Sequence, residues 1–150
     1  MAFKKIICPV DFSGPSVNAL KVANEVAAGF GAELVILHVV PAIPRISQAS
    51  EEEFKVPVYQ AELESVNKNW LEDMIKEKVP ENISVRPTVT SGDAAEEILS
   101  QAGAEGADLI VISKGGKKGG DSSILGSVTY RVVRAAQIPV LSVSVPKGVE

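Results

Sequence analysis

Continuous, alternating and helical patterns of apolar residues succeed one another along the chain. Phe3 to Val10 is a nearly unbroken apolar run with β-branched residues, the pattern of a strand covered on both faces, and Ala32 to Val40 (AELVILHVV) and Ala107 to Ile112 (ADLIVI) repeat it. Two further segments alternate. Ile83 to Thr90 (ISVRPTVT) puts Ile83, Val85, Pro87 and Val89 on one side and Ser84, Arg86, Thr88 and Thr90 on the other; Pro139 to Val145 (PVLSVSV) alternates beyond Val140, with Ser142 and Ser144 on one face. A wet face, and in the first of these an internal proline that cannot donate to a ladder, belong at a sheet edge. Between the strands, apolar positions recur at helical spacing: Leu20, Ala23, Val26, Ala27 and Phe30; then Leu63, Val66, Trp70, Leu71 and Met74 from about Tyr59 to Lys78; then Ile98, Leu99 and Ala102; and finally Leu125, Val128, Val132 and Val133 from about Ser123 to Ala136. Trp70 is expected to pack against the sheet.

Punctuation residues agree with this division. Ser13 is an N-cap candidate with Pro15 in the first turn, and Gly29 or Gly31 can close that helix. Asp93 with Glu96 forms a capping-box-like opening after the Ser91-Gly92 turn. Pro41 to Pro57, with three prolines and the acidic run Glu51-Glu52-Glu53, predicts a solvated loop. Five strands alternating with four helices give an α/β doubly wound parallel sheet. With strands three and five at the edges and sequential neighbours preferred, the order is 3-2-1-4-5. Its reversal falls between strands one and four, and ligands in such sheets sit there, beyond the C-terminal strand ends.

The 150 residues suit one domain, residues 1–150, within the usual ~100–200. The one cysteine, Cys8, lies inside an apolar run and reads as a buried small side chain rather than a reactive thiol. The start, MAFKKIICPVD, is too short in apolar length for a leader or a membrane span, so a cytoplasmic, reducing compartment is expected. A net charge of −4 argues against a nucleic-acid or anionic-membrane partner, which would need a basic face.

Candidate chemistry concentrates in Ile112 to Thr129 (ISKGGKKGGDSSILGSVT), which follows the fourth strand and carries Lys114, Lys117 and Lys118. Glycines let backbone approach a ligand closely, and amides ahead of a helix attract anions, so the segment suits phosphate. The same composition suits a solvated surface loop. The sheet order sets it beside Pro9-Val10-Asp11 at the switch point. Familiar sites fail by inspection: Gly115 to Gly120 is followed by Asp121 where a Walker A loop needs lysine, and neither a G-x-G-x-x-G after strand one nor a G-x-S-x-G elbow exists. Asp11 stands without the companion acids of a phospho-acceptor site. His38, the one histidine, reads as a core or strand-end residue sooner than a general base. No complete catalytic constellation is found.

Over nearly its whole length the chain resembles the universal stress protein family, through KIICPVDFS, LHVVP, GDAAEEI, and LGSVT ahead of IPVLSV. The resemblance implies a Rossmann-like, adenine nucleotide alpha hydrolase-like fold. In the family's ATP-binding branch a glycine, two residues, a second glycine and nine residues precede glycine and serine or threonine. Gly116, Gly126 and Ser127 match, and Ser113 replaces the first glycine. By resemblance, Asp11 would bond the sugar or base of ATP, with Pro9 and Val10 lining the pocket and Val39, at the end of strand two beside Val40, against adenine. Ile112, Ser113 and Gly116 would flank the phosphates, which Gly126, Ser127, Val128 and Thr129 would hold, with Mg²⁺ accompanying them. A family glycine needed for positive φ or bare backbone contact would make a Cβ at Ser113 costly, by on the order of 1 kcal/mol, or an obstacle to the ligand's approach, whereas serine is tolerated where only the backbone groups are used. The function implied is an ATP-binding regulatory module of the stress response with slow or absent hydrolysis. The second reading is an apo interaction protein of the branch that does not bind ATP. The unpaired fifth strand invites pairing, and the resemblance implies a homodimer there.

Overall fold

The continuously apolar runs occupy the centre of the sheet because each must bury both faces. In the computed structural model, which describes residues 2–42, 50–115 and 126–145, these runs form β1 (Lys5–Pro9), β2 (Glu33–Val40) and β4 (Leu109–Ser113). The alternating runs form β3 (Val85–Ser91) and β5 (Val140–Val143). All pairings are parallel and the order is β3-β2-β1-β4-β5, as the sequence predicts, with both alternating strands at edges. Pro87 stands on β3, opposite Ile36 of β2.

Helices α1 (Gly14–Phe30) and α2 (Ser50–Lys78) cover one face, and α3 (Ala94–Glu105) and α4 (Ser127–Ala135) cover the other. Side-chain alternation divides the core accordingly. Ile6, Cys8, Leu34, Ile36 and Val111 meet α1 and Leu71 of α2, while Ile7, Val35, Leu37, Ile110 and Ile112 meet α3 and Val132 of α4. Burying each such side chain contributes about 1.5–3 kcal/mol. Burial also pushes the Cys8 thiol up to about 12, which keeps it protonated. Ser13 caps α1, accepting from the Ser16 amide at 3.3 Å, and Asp93 caps α3, accepting from the Glu96 amide at 3.0 Å. Gly31 and Gly106 close these helices at φ 64° and 66°, in the left-handed region that a Cβ disfavours. No helix among the described residues is long and apolar enough to cross a membrane.

Three expectations need correction. The segment 41–57 is not a loop throughout, because α2 opens at Ser50 and carries Pro57 within it. One missing N–H is a local loss in a 29-residue helix whose other turns remain bonded. The buried stripe of α2 is also rotated from the expected one. Leu71 is fully buried, with Asn67 on the same side, while Leu63 and Val66 are exposed and Trp70 is 56% exposed. Asn67 can turn inward because its amide donates to the Leu63 carbonyl at 2.7 Å, a local satisfaction that polarity alone conceals. Likewise Phe30 and Val133 lie off the buried faces of their helices, and Phe30 rests edge-on against Phe3 with ring centres 5.1 Å apart. The last helix begins at Ser127; Ser123 and Leu125 lie outside the described residues.

At the N-terminal end of the sheet, charges form a network. Arg86 grips Glu105 with both terminal nitrogens and reaches Glu33 through Nε at 3.1 Å, while Lys5 lies 3.8 Å from Glu105 and 3.9 Å from Glu33. The Arg86 hydrogen bonds hold the Glu105 carboxyl below the usual carboxylate range, against the opposing effect of burial. A carboxylate depressed in the folded state stabilises above its unfolded pKa and loses that contribution as pH falls through its folded one. Arg86 is partly exposed, so the gain is about 1 kcal/mol or less, or about 2–4 °C in melting temperature at this chain length. We therefore expect Glu105→Gln to melt lower than wild type at pH 7 by that amount and together with it below the carboxylate range. A gap that persists in acid would show that the carboxylate charge is not its source.

Candidate functional site

β1 and β4 are adjacent and parallel, paired at Ile6–Leu109 and Ile7–Ile110, so their C-terminal ends emerge together. Beyond β1 the chain is tightly held. The Val10 amide donates to the Leu37 carbonyl at 2.8 Å, and the Val10 carbonyl accepts from His38 Nδ1 at 2.8 Å. A carbonyl can only accept, so Nδ1 carries the proton. Next comes Asp11, whose Oδ1 accepts from the Ser13 amide at 3.0 Å and from the Ser13 hydroxyl. Its Oδ2 is left uncommitted among the described residues. Phe12 then takes φ 64°, the one positive φ outside glycine among the described residues. Its ring lies 4.7 Å from that of His38 and 6.1 Å, edge-on, from Trp70.

On the neighbouring strand, the flanks of the glycine-rich segment are pinned to each other. The Gly126 amide donates to the Lys114 carbonyl at 2.8 Å, and Thr129 Oγ1 donates to the Ser113 carbonyl at 2.7 Å. The Lys114 amide also continues the ladder to Val143 at 2.8 Å. Whatever the intervening residues do, their two ends meet at the mouth of β4. Ser113 itself is buried, its φ is not in the left-handed region, and its hydroxyl donates to the Gly115 carbonyl at 2.8 Å. The Cβ that distinguishes it from glycine is therefore unstrained. α4 starts at Ser127 with Gly126 at its N-cap, which offers no side-chain acceptor. The intrahelical ladder opens with the Tyr130 amide on the Gly126 carbonyl at 2.8 Å, so the amides of Ser127, Val128 and Thr129 precede it. An uncapped N-terminus of this kind attracts an anion through its amides and the helix dipole.

The expected site residues thus divide. Ser113, Gly126, Ser127 and Val128 are held together at the end of β4, and Pro9 and Asp11 stand at the same end of the adjacent strand β1. Val39 stands near the end of β2, half-buried on the α3 and α4 face. The side chains of Val10 and Ile112 are core on opposite faces, and the Thr129 hydroxyl is buried against Ser113, so these three shape the site from behind. Gly116, Lys117 and Lys118 lie outside the described residues. Sequence reasoning missed Phe12, since nothing in an apolar pattern marks a left-handed aromatic. It also missed Thr90, the partner of Val39, whose buried hydroxyl has no hydrogen-bond partner among the described residues.

The model of the Universal stress protein family matches residues 2–144. Universal stress protein MJ0531 of Methanocaldococcus jannaschii is 32% identical over 145 residues, 97% of this chain and 84% of the relative. The solved structure of MJ0577, another universal stress protein of that organism, superposes with a TM-score of 0.81 at 30% identity, over 95% of this chain and 96% of that one. The universal stress protein from Archaeoglobus fulgidus in complex with dAMP shares the fold at 19% identity and a TM-score of 0.61, over 95% and 98% of the two chains.

Thr129→Val should test the pinned loop. It removes the donor while keeping the shape, leaving the Ser113 carbonyl without that partner, so we expect a loss of about 1–3 kcal/mol in chemical denaturation. A variant as stable as wild type would show that the bond does not hold α4 to β4.

Proposed function

The chain belongs to the universal stress protein family, and we propose that it is an adenine-nucleotide-binding module with a regulatory role in the stress response, taking ATP at the switch point. One observation carries the reading. The uncommitted Asp11 oxygen and the uncapped start of α4 stand at the same end of two adjacent parallel strands. A nucleotide presents matching groups, with hydroxyls or an amine for Asp11 and phosphate oxygens for the amides of Ser127 and Val128. Val39 offers an apolar surface for the adenine ring. The dAMP held by the Archaeoglobus protein makes an adenine nucleotide the class to test first. Among the described residues no group of three His, Cys, Asp or Glu could hold a metal, so Mg²⁺ would travel on the phosphates.

Binding rather than catalysis is favoured by the state of the titratable groups. His38 is buried with its ring against Phe12, which keeps it from water, and the free Asp11 oxygen is the one offered to the ligand. Of the two grounds for the apo reading, strain at Ser113 and a Cβ that blocks the ligand's approach, the first is absent, since the Ser113 φ is not left-handed. A buried, protonated Cys8 suits a reducing, cytoplasmic setting. At the far edge, β5 offers a row of backbone groups with no partner strand among the described residues and Leu141 exposed, which supports a homodimer through that strand.

Two measurements check this. Calorimetry with ATP and Mg²⁺ should give saturable binding that Asp11→Ala weakens by roughly tenfold or more, the loss of about 1.4 kcal/mol. Absence of both heat and thermal shift for the wild type at millimolar ATP would overturn the proposal. Sedimentation at micromolar protein should give a dimer, and a monomer would remove the β5 interface.

A further inference from the structure

We infer that Phe12 is a positioning residue that holds the Asp11 carboxylate toward the switch point, an inference that rests on the nucleotide reading of that site. Phe12 follows Asp11 directly and sits at φ 64°, a conformation that an L-residue with a Cβ avoids and that persists where its surroundings fix it. Those surroundings are two other rings, from different elements. His38 of β2 lies at 4.7 Å and at 45° to it, and Trp70 of α2 meets it edge-on at 88°. His38 is itself immobilised by its bond to the Val10 carbonyl, and Phe12 also packs against the core that α1 covers.

The arrangement brackets Asp11. Its predecessor is fixed by two backbone bonds, at the Val10 amide and the Val10 carbonyl, and its successor by two rings. With both neighbours held, the turn that lets Ser13 bond Oδ1 is fixed, and Oδ2 keeps one direction. A glycine here would adopt the same φ without strain but with nothing to hold it. The aromatic therefore spends backbone strain on rigidity. Pre-set geometry is what makes a single carboxylate contact useful to a ligand, because ordering it on binding would reduce affinity. Trp70 joins α2 to this turn while remaining more than half exposed, which accounts for a large aromatic left outside the core.

Amide exchange followed by NMR on the full chain separates the clamp from its consequence. Phe12→Ala keeps the strain and removes the ring, whereas Phe12→Gly removes both. Both should speed exchange of the Ser13 amide about tenfold, the scale of a lost aromatic contact, and Phe12→Tyr should restore it. The Glu96 amide, capped by Asp93 on α3, should exchange as in wild type. ATP affinity should fall about tenfold in the same two variants. Unchanged Ser13 exchange in both would overturn the clamp whether or not nucleotide binds. Faster exchange with unchanged affinity would overturn its link to the ligand. A wild type that binds no nucleotide would instead remove the functional reading, and with it the ligand link; exchange would still decide whether Phe12 holds the turn.

Discussion

Parallel pairing of β1 with β2 on one side and β4 on the other is the constraint on which the rest depends. A strand with neighbours on both sides and helices on both faces must be apolar throughout, as Ile6, Ile7 and Cys8 are. The chain leaves β1 into α1 on one face and β4 into α4 on the other, so the two connections part where the strands end. The opening between them is a product of topology. Its chemistry comes from what each connection carries, a carboxylate on one and a helix start on the other.

Both sides of that opening are stiffened by backbone bonds at some expense to local stability. Glycine at the N-cap of α4 forgoes the side-chain bond that serine supplies to α1, and Phe12 holds a left-handed backbone where glycine would rest without strain. The compensating contacts are specific. Thr129 and Gly126 tie α4 back to Ser113 and Lys114, and His38 ties β2 to Val10. The opposite end of the sheet shows the contrast, since Arg86, Glu105, Glu33 and Lys5 satisfy one another there and leave little for a ligand. At the C-terminal strand ends, Asp11 Oδ2 and the buried Thr90 hydroxyl beside Val39 are without a partner among the described residues.

The strand order was legible because two-sided burial and edge position leave different patterns, continuous in β1, β2 and β4 and alternating in β3 and β5. Caps at Ser13 and Asp93 were legible because their chemistry is local. The phase of α2 was not, since Asn67 is polar yet turns inward by bonding its own helix, and Trp70 is apolar yet faces out to meet Phe12. Nor could a proline count reveal that the helix already runs from Ser50. For the candidate site, the sheet order set Asp11 and the glycine-rich segment at neighbouring strand ends, the resemblance singled out Gly126-Ser127, and the strain expected of a Cβ at Ser113 could be judged only from its φ. Val10, Ile112 and Thr129 illustrate the limit of spacing, which cannot tell a side chain facing a ligand from one supporting the strand behind it.

The central claim is that a nucleotide binds between the β1–α1 turn and the start of α4. Backbone amide shifts recorded by NMR while ATP and Mg²⁺ are added test it most directly. The largest changes are expected at Asp11 to Ser13, Ser113, Lys114 and Gly126 to Thr129, with the Arg86 and Glu105 end of the sheet unmoved. Changes centred elsewhere, on the exposed face of α2 or along the β5 edge, would contradict it.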